Sequence, residues 1–181
     1  MKKHECALLV IDMQQVAFDG EITPPVNLGS QLLDTVADLI EGCRSKNIPI
    51  LFAQTNAPPG RPYAKDTHGW NVHAQVTPLA GEQIIFKVGP SAFETPELEV
   101  ALNELGSRVL IVCGIWSEGC VSITARGALK RGYGVCLASD GHGTVRDNDE
   151  EARAIIREQN ELLSERGVSV IETRVILALL A

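Results

Sequence analysis

The sequence predicts an α/β fold, an open doubly wound parallel β-sheet of about six strands with helices on both faces. Two observations carry this. Short aliphatic and β-branched runs recur without the polar alternation of a half-exposed sheet, as in strands buried on both sides. Between most of these runs, apolar residues fall at helical spacing.

The first run, residues 6–13, ends in Leu8-Leu-Val-Ile-Asp-Met13. Leu28, Leu32, Val36, Leu39, Ile40 and Cys43 then share one face of a helix. A second strand spans 48–55. Residues 56–77 carry Pro58, Pro59, Gly60, Pro62 and Gly69 and read as a long loop or lid. A third strand (83–87), a short helix (97–105) and a fourth strand (108–115) follow. Next comes a helix running to about Arg131, with Ser117 as its expected N-cap. Small residues at Ala125, Gly127 and Ala128 let this helix lie close on the sheet. A fifth strand (133–139), a charged amphipathic helix (148–166) stopped by Gly167, and a sixth strand (168–173) complete the order. Residues 1–181 read as one domain, without repeats or low-complexity segments.

Composition narrows the function classes. A net charge of −7 with scattered basic residues disfavours nucleic acid and anionic membranes as partners. No stretch reaches the roughly 18 apolar residues of a membrane span. The two N-terminal lysines precede an apolar stretch that Asp12 interrupts, so a signal peptide is not expected. Five cysteines, odd in number and lacking a CxxC pair, suit a reducing compartment, and the expected location is cytoplasmic.

Ligands of such sheets bind beyond the carboxyl ends of the strands. Three polar residues stand at or just beyond strand ends there: Asp12, Lys87 and Cys120. Each alone reads most simply as a cap, a surface lysine or a packed thiol. Together they are the parts of a cysteine hydrolase, with Asp12 positioned to take the thiol proton and Lys87 to stabilise anions. A thiol needs such help, because at its ordinary pKa of about 8.5 little thiolate exists at neutral pH. A helix start at Cys120 would favour the thiolate and offer N–H groups to an oxyanion.

These motifs resemble the isochorismatase-like cysteine hydrolases, which include nicotinamidases and N-carbamoylsarcosine amidases. "LLVIDMQ" (8–14), "KVGPSAF" (87–93), "GIWSEGCVSITARGALKRGY" (114–133) and "ASDGHGT" (138–144) occur in the family's order. The resemblance implies that Asp12, Lys87 and Cys120 are catalytic. It also implies a cis peptide bond between Ile115 and Trp116, with the backbone N–H groups of Trp116 and Cys120 forming the oxyanion hole. Gln14, Phe18, Trp70, Phe93 and Trp116 are candidates for substrate contact. Nicotinamidases carry an Asp-x-His metal motif where this chain has Gln54-Thr-Asn56, so no metal and no other cofactor is expected. His73 is expected to fix its loop and His142 to be structural.

The expected reaction is hydrolysis of a small amide or related C–N bond through a thioester on Cys120. The alternatives are vinyl-ether hydrolysis of the isochorismatase type, or a catalytically silent binding or oligomeric protein of the same fold. The expected partner is a small-molecule substrate, and relatives imply a homo-oligomer, a dimer or tetramer.

Overall fold

A computed structural model describes residues 5–180 of the chain. The lysines weighed in the targeting argument lie outside these residues. The strands are β1 (Cys6–Ile11), β2 (Ile50–Thr55), β3 (Gln83–Lys87), β4 (Val109–Ile115), β5 (Gly134–Gly143) and β6 (Ser169–Ile171). The helices are α1 (Gly29–Ser45), α2 (Pro96–Glu104), α3 (Ser122–Lys130), α4 (Asp149–Glu165) and α5 (Thr173–Leu179). All neighbouring strands pair parallel, in the order β3-β2-β1-β4-β5-β6.

The aliphatic runs form central strands because both faces are covered. Along β1, Leu8 and Val10 join one cluster with Leu32, Val36, Leu39 and Ile40 of α1. Leu9 and Ile11 point the other way and join Leu98 and Leu102 of α2, Ala125 and Ala128 of α3, and Leu163 of α4. This is the two-residue alternation of a strand with an apolar layer on each side. Ala125 and Ala128 are fully buried, so the small side chains do bring α3 close to the sheet.

From β1 the chain moves outward through β2 and β3, then returns to place β4 on the other side of β1. The carboxyl ends of β1 and β4 therefore flank a topological switch point, where helices leave opposite faces and a crevice opens. Gly114, near the end of β4, has φ 119°, and a Cβ there would stand 2.0 Å from the Ile11 carbonyl oxygen. Only glycine lets β1 and β4 approach this closely at the crevice.

Three details depart from the sequence reading. β5 runs on to Gly143, with a register shift against β4 between Val112 and Gly114, which carries "DGHG" into the sheet. α3 begins at Ser122 rather than Ser117. α5, a helix the sequence did not predict, starts at Thr173, the last residue of the expected sixth strand. Among the described residues, no helix is long and apolar enough to cross a membrane.

Candidate active site

Asp12 follows β1 directly and adopts φ 51°, a left-handed conformation that aspartate tolerates better than most residues. Its N–H donates to the Ala53 carbonyl at 2.8 Å, which fixes the turn against β2. Lys87 is the last residue of β3, and Cys120 lies in the turn between β4 and α3. The topology gathers these three side chains. Lys87 Nζ is 2.8 Å from Asp12 Oδ2 and 3.3 Å from Cys120 Sγ.

Thr55, the last residue of β2, completes the cluster. Its hydroxyl donates to Asp12 Oδ1 at 2.9 Å and accepts from Lys87 Nζ at 2.9 Å, while its N–H donates to the same Asp12 oxygen at 2.9 Å. Lys87 Nζ also faces the Gly89 carbonyl at 3.3 Å. Its three protons thus meet four acceptors, and the Cys120 contact competes with the others. The sequence reading passed over Thr55, although a strand lying between those of Asp12 and Lys87 must end in the same crevice.

The ion pair is almost fully enclosed, with side-chain exposures of 1% for Lys87 and 2% for Asp12. Removing two charges from water costs several kcal/mol per ion, so a buried pair is a poor stability device and a good indicator of function. Burial works to lower the Lys87 pKa, but the charges of Asp12 and Cys120 and their hydrogen bonds outweigh it and hold the ammonium above its ordinary value. The Cys120 thiol is pushed up to about 11, first by burial and then by the Asp12 charge, with Lys87 only partly opposing them. The expected resting thiolate is therefore not favoured. Burial and the Asp12 charge thus favour the protonated thiol, next to a carboxylate within hydrogen-bonding reach of it.

The turn carrying Cys120 is irregular. Residues Ser117–Val121 form one widened turn, with Gly119 at φ −102° and ψ −114°. Cys120 thus precedes α3, and no side chain caps the turn. Ser117 is instead bound to His142, its Oγ 2.8 Å from Nδ1, while His142 Nε2 lies 3.0 Å from Asn160 Oδ1. Asn160 donates its amide to the Ser139 carbonyl, so its oxygen faces His142, which assigns the imidazole proton to Nε2 and the Ser117 proton to the bond with Nδ1. Burial lowers the His142 pKa. This neutral histidine braces the cysteine turn from behind. The Ile115–Trp116 peptide bond is cis, as the resemblance implied.

The substrate-contact candidates divide. Trp116 lines a cavity of about 240 Å³ with Pro24, Glu118, Thr144 and Arg146. Gln14 is fully buried, and its amide serves the protein itself: it donates to the Thr55 and Trp70 carbonyls and accepts from the Thr55 N–H. Phe93 packs in the core against Tyr133, at 5.8 Å between ring centroids, under the Arg131 guanidinium. Phe18 packs beside His73, and Trp70 stacks on Phe86 at 5.5 Å. Local packing and backbone partners engage the Gln14 amide and the rings of Phe18, Trp70 and Phe93. His73 accepts from the Gln75 N–H and so holds its loop. Among the described residues, no three His, Cys, Asp or Glu side chains group as metal ligands.

The isochorismatase domain family model matches residues 6–173. Streptothricin hydrolase of Streptomyces noursei is 35% identical over 76% of this chain and 54% of its own length. The chain thus spans about half the length of that relative. Nicotinamidase 3 of Arabidopsis thaliana is 27% identical over 81% of this chain and 77% of its own. An isochorismatase structure from Pseudomonas putida superposes with TM-score 0.88 at 26% identity, covering 97% of this chain and 91% of that one.

Proposed function

The chain belongs to the isochorismatase family of hydrolases, and on that premise we propose that it hydrolyses the C–N bond of a small carboxamide through an acyl-enzyme on Cys120. The observation that carries the reading is the enclosed contact of Cys120 Sγ with Lys87 Nζ at 3.3 Å, itself paired to Asp12 at 2.8 Å.

In this scheme the Cys120 sulfur attacks the carbonyl carbon as its proton passes to Asp12. The C=O electron pair moves to oxygen, where the Trp116 and Cys120 N–H groups stabilise it. Collapse breaks the C–N bond, and Asp12 returns the proton to the leaving amine. Water then attacks the thioester, giving its proton to Asp12 and releasing the acid. Asp12 finally reprotonates the sulfur. The thiol held up to about 11 fits this cycle, since the nucleophile becomes anionic only as it attacks. Lys87 keeps its charge throughout and holds the carboxylate and the developing anion together.

The presence of a cysteine in the cluster favours amide over vinyl-ether hydrolysis, and the names of the streptothricin hydrolase and nicotinamidase relatives point the same way. A reducing cytoplasm and a dimer or tetramer remain part of the proposal. A panel of small amides assayed for ammonia or amine release tests it. Asp12→Asn, Lys87→Ala and Cys120→Ala are each expected to lower turnover by at least about 10³-fold. Turnover by Cys120→Ala at the unmodified rate would reject it.

A further inference from the structure

Five buried side-chain polar atoms among the described residues have no hydrogen-bond partner, and three of them, Asn56 Oδ1, Tyr63 Oη and Trp70 Nε1, lie on the segment after β2. Leaving a polar group dry and unpaired opposes folding. Their concentration on one loop beside the cleft calls for a cause other than packing.

Tyr63 is held near the cluster by the backbone. The Asn56 N–H donates to the Lys87 carbonyl at 2.8 Å, and the Ala57 N–H donates to the Tyr63 carbonyl at 2.9 Å. Two short links thus join Tyr63 to the end of β3. The hydroxyl feels the charges of Asp12 and Cys120, and the Trp116 indole N–H stands beside its oxygen as a donor that cannot take the phenol proton. Both Asp12 oxygens are already engaged by Thr55 and Lys87. Among the described residues the phenol proton therefore has no good acceptor, and burial keeps the phenol protonated.

We propose that the Tyr63 hydroxyl is a specificity-determining donor that hydrogen-bonds an acceptor atom, a carbonyl oxygen or ring nitrogen, of the small amide bound at Cys120. It selects substrates with such an acceptor over apolar compounds of similar size. The inference rests on the proposed reaction at Cys120 for its substrate class, but its physical core is the phenol proton without an acceptor.

Tyr63→Phe removes that hydroxyl and keeps the ring. Alkylation of Cys120 at pH 9 by iodoacetamide, which carries a carboxamide, is compared with alkylation by methyl iodide, which has no acceptor oxygen or nitrogen. The variant is expected to lose about tenfold in rate with iodoacetamide, to change little with methyl iodide, and to melt no lower than the unmodified protein. With amide substrates its KM rises while kcat is nearly kept. Equal rate ratios in the two proteins, a parallel fall with both reagents, or a lower melting temperature would each overturn the inference. Loss of selectivity in a protein that hydrolyses no amide would reject the amidase reading and leave the Tyr63 role standing. Amide turnover indifferent to Tyr63→Phe would do the reverse.

Discussion

Thr55 carries no charge, yet it ties the cluster together. Its hydroxyl donates a hydrogen bond to Asp12 and accepts one from Lys87, each at 2.9 Å. Replacing it with isosteric valine leaves both charges in place and removes their common partner. Thr55→Val is expected to lower kcat roughly 10- to 100-fold, with Thr55→Ser restoring most of it. Steady-state kinetics on any accepted amide would measure this, and a Val variant with unchanged kcat would demote Thr55 to packing. At this scale the sequence was partly legible. Asp12, Lys87 and Cys120 are each ordinary alone and stood out only as a set, because a carboxylate, an ammonium and a thiol fall at or just beyond strand ends that open on one crevice. Thr55 did not, since a threonine closing a strand is ordinary. Gln14 and Phe93 were equally compatible with cleft and core, and only the positions of Thr55, Trp70 and Tyr133 resolved them.

The elements at the crevice are positioned by backbone contact. β1 and β4 meet at Gly114, where a Cβ would collide with the Ile11 carbonyl one residue before Asp12. Gly114→Ala must therefore push the strands apart or rebuild the end of β4. A loss of at least about 2–3 kcal/mol in folding stability is expected, read from the denaturant midpoint, together with reduced turnover as Asp12 and the Cys120 turn shift. All six strands were readable from aliphatic runs: β1, β2 and β4 are buried on both faces, and the more exposed edge strands β3 and β6 still keep enough aliphatic residues to stand out. The start of α3 was not. Ser117 has the chemistry of a cap but gives its hydroxyl to His142, a partner 25 residues on that no local pattern announces. The extension of β5 to Gly143 was hidden for a related reason, since polar and glycine-rich "DGHG" looks like a turn until β4 pairs with it.

Across the whole molecule the buried thiols set a limit on the alkaline side. Burial pushes Cys43 up to about 12 and Cys136 up to about 11, well above an ordinary thiol, and it raises Cys113 as well. In the unfolded chain these thiols lose their protons above about pH 9, while in the folded protein they keep them. The unfolded state then binds fewer protons, so stability is complete below pH 9 and falls as pH rises toward 11. Each such thiol removes about 1.4 kcal/mol per pH unit over that range. Denaturant titrations from pH 8 to 11 should show the decline, and a shallower slope in Cys43→Ala. A stability flat to pH 11 would mean that the thiols are not held neutral by the fold.

Covalent chemistry at the Cys120 sulfur is the centre of the proposed reaction. Mixing the protein with an accepted amide, quenching in acid within the first turnovers and measuring intact and peptide masses tests this directly. The expected result is the acyl mass on the peptide containing Cys120, accumulating before steady state and absent from Cys120→Ala. Continued turnover with no adduct at any quench time, and with Cys120→Ala equally active, would contradict it.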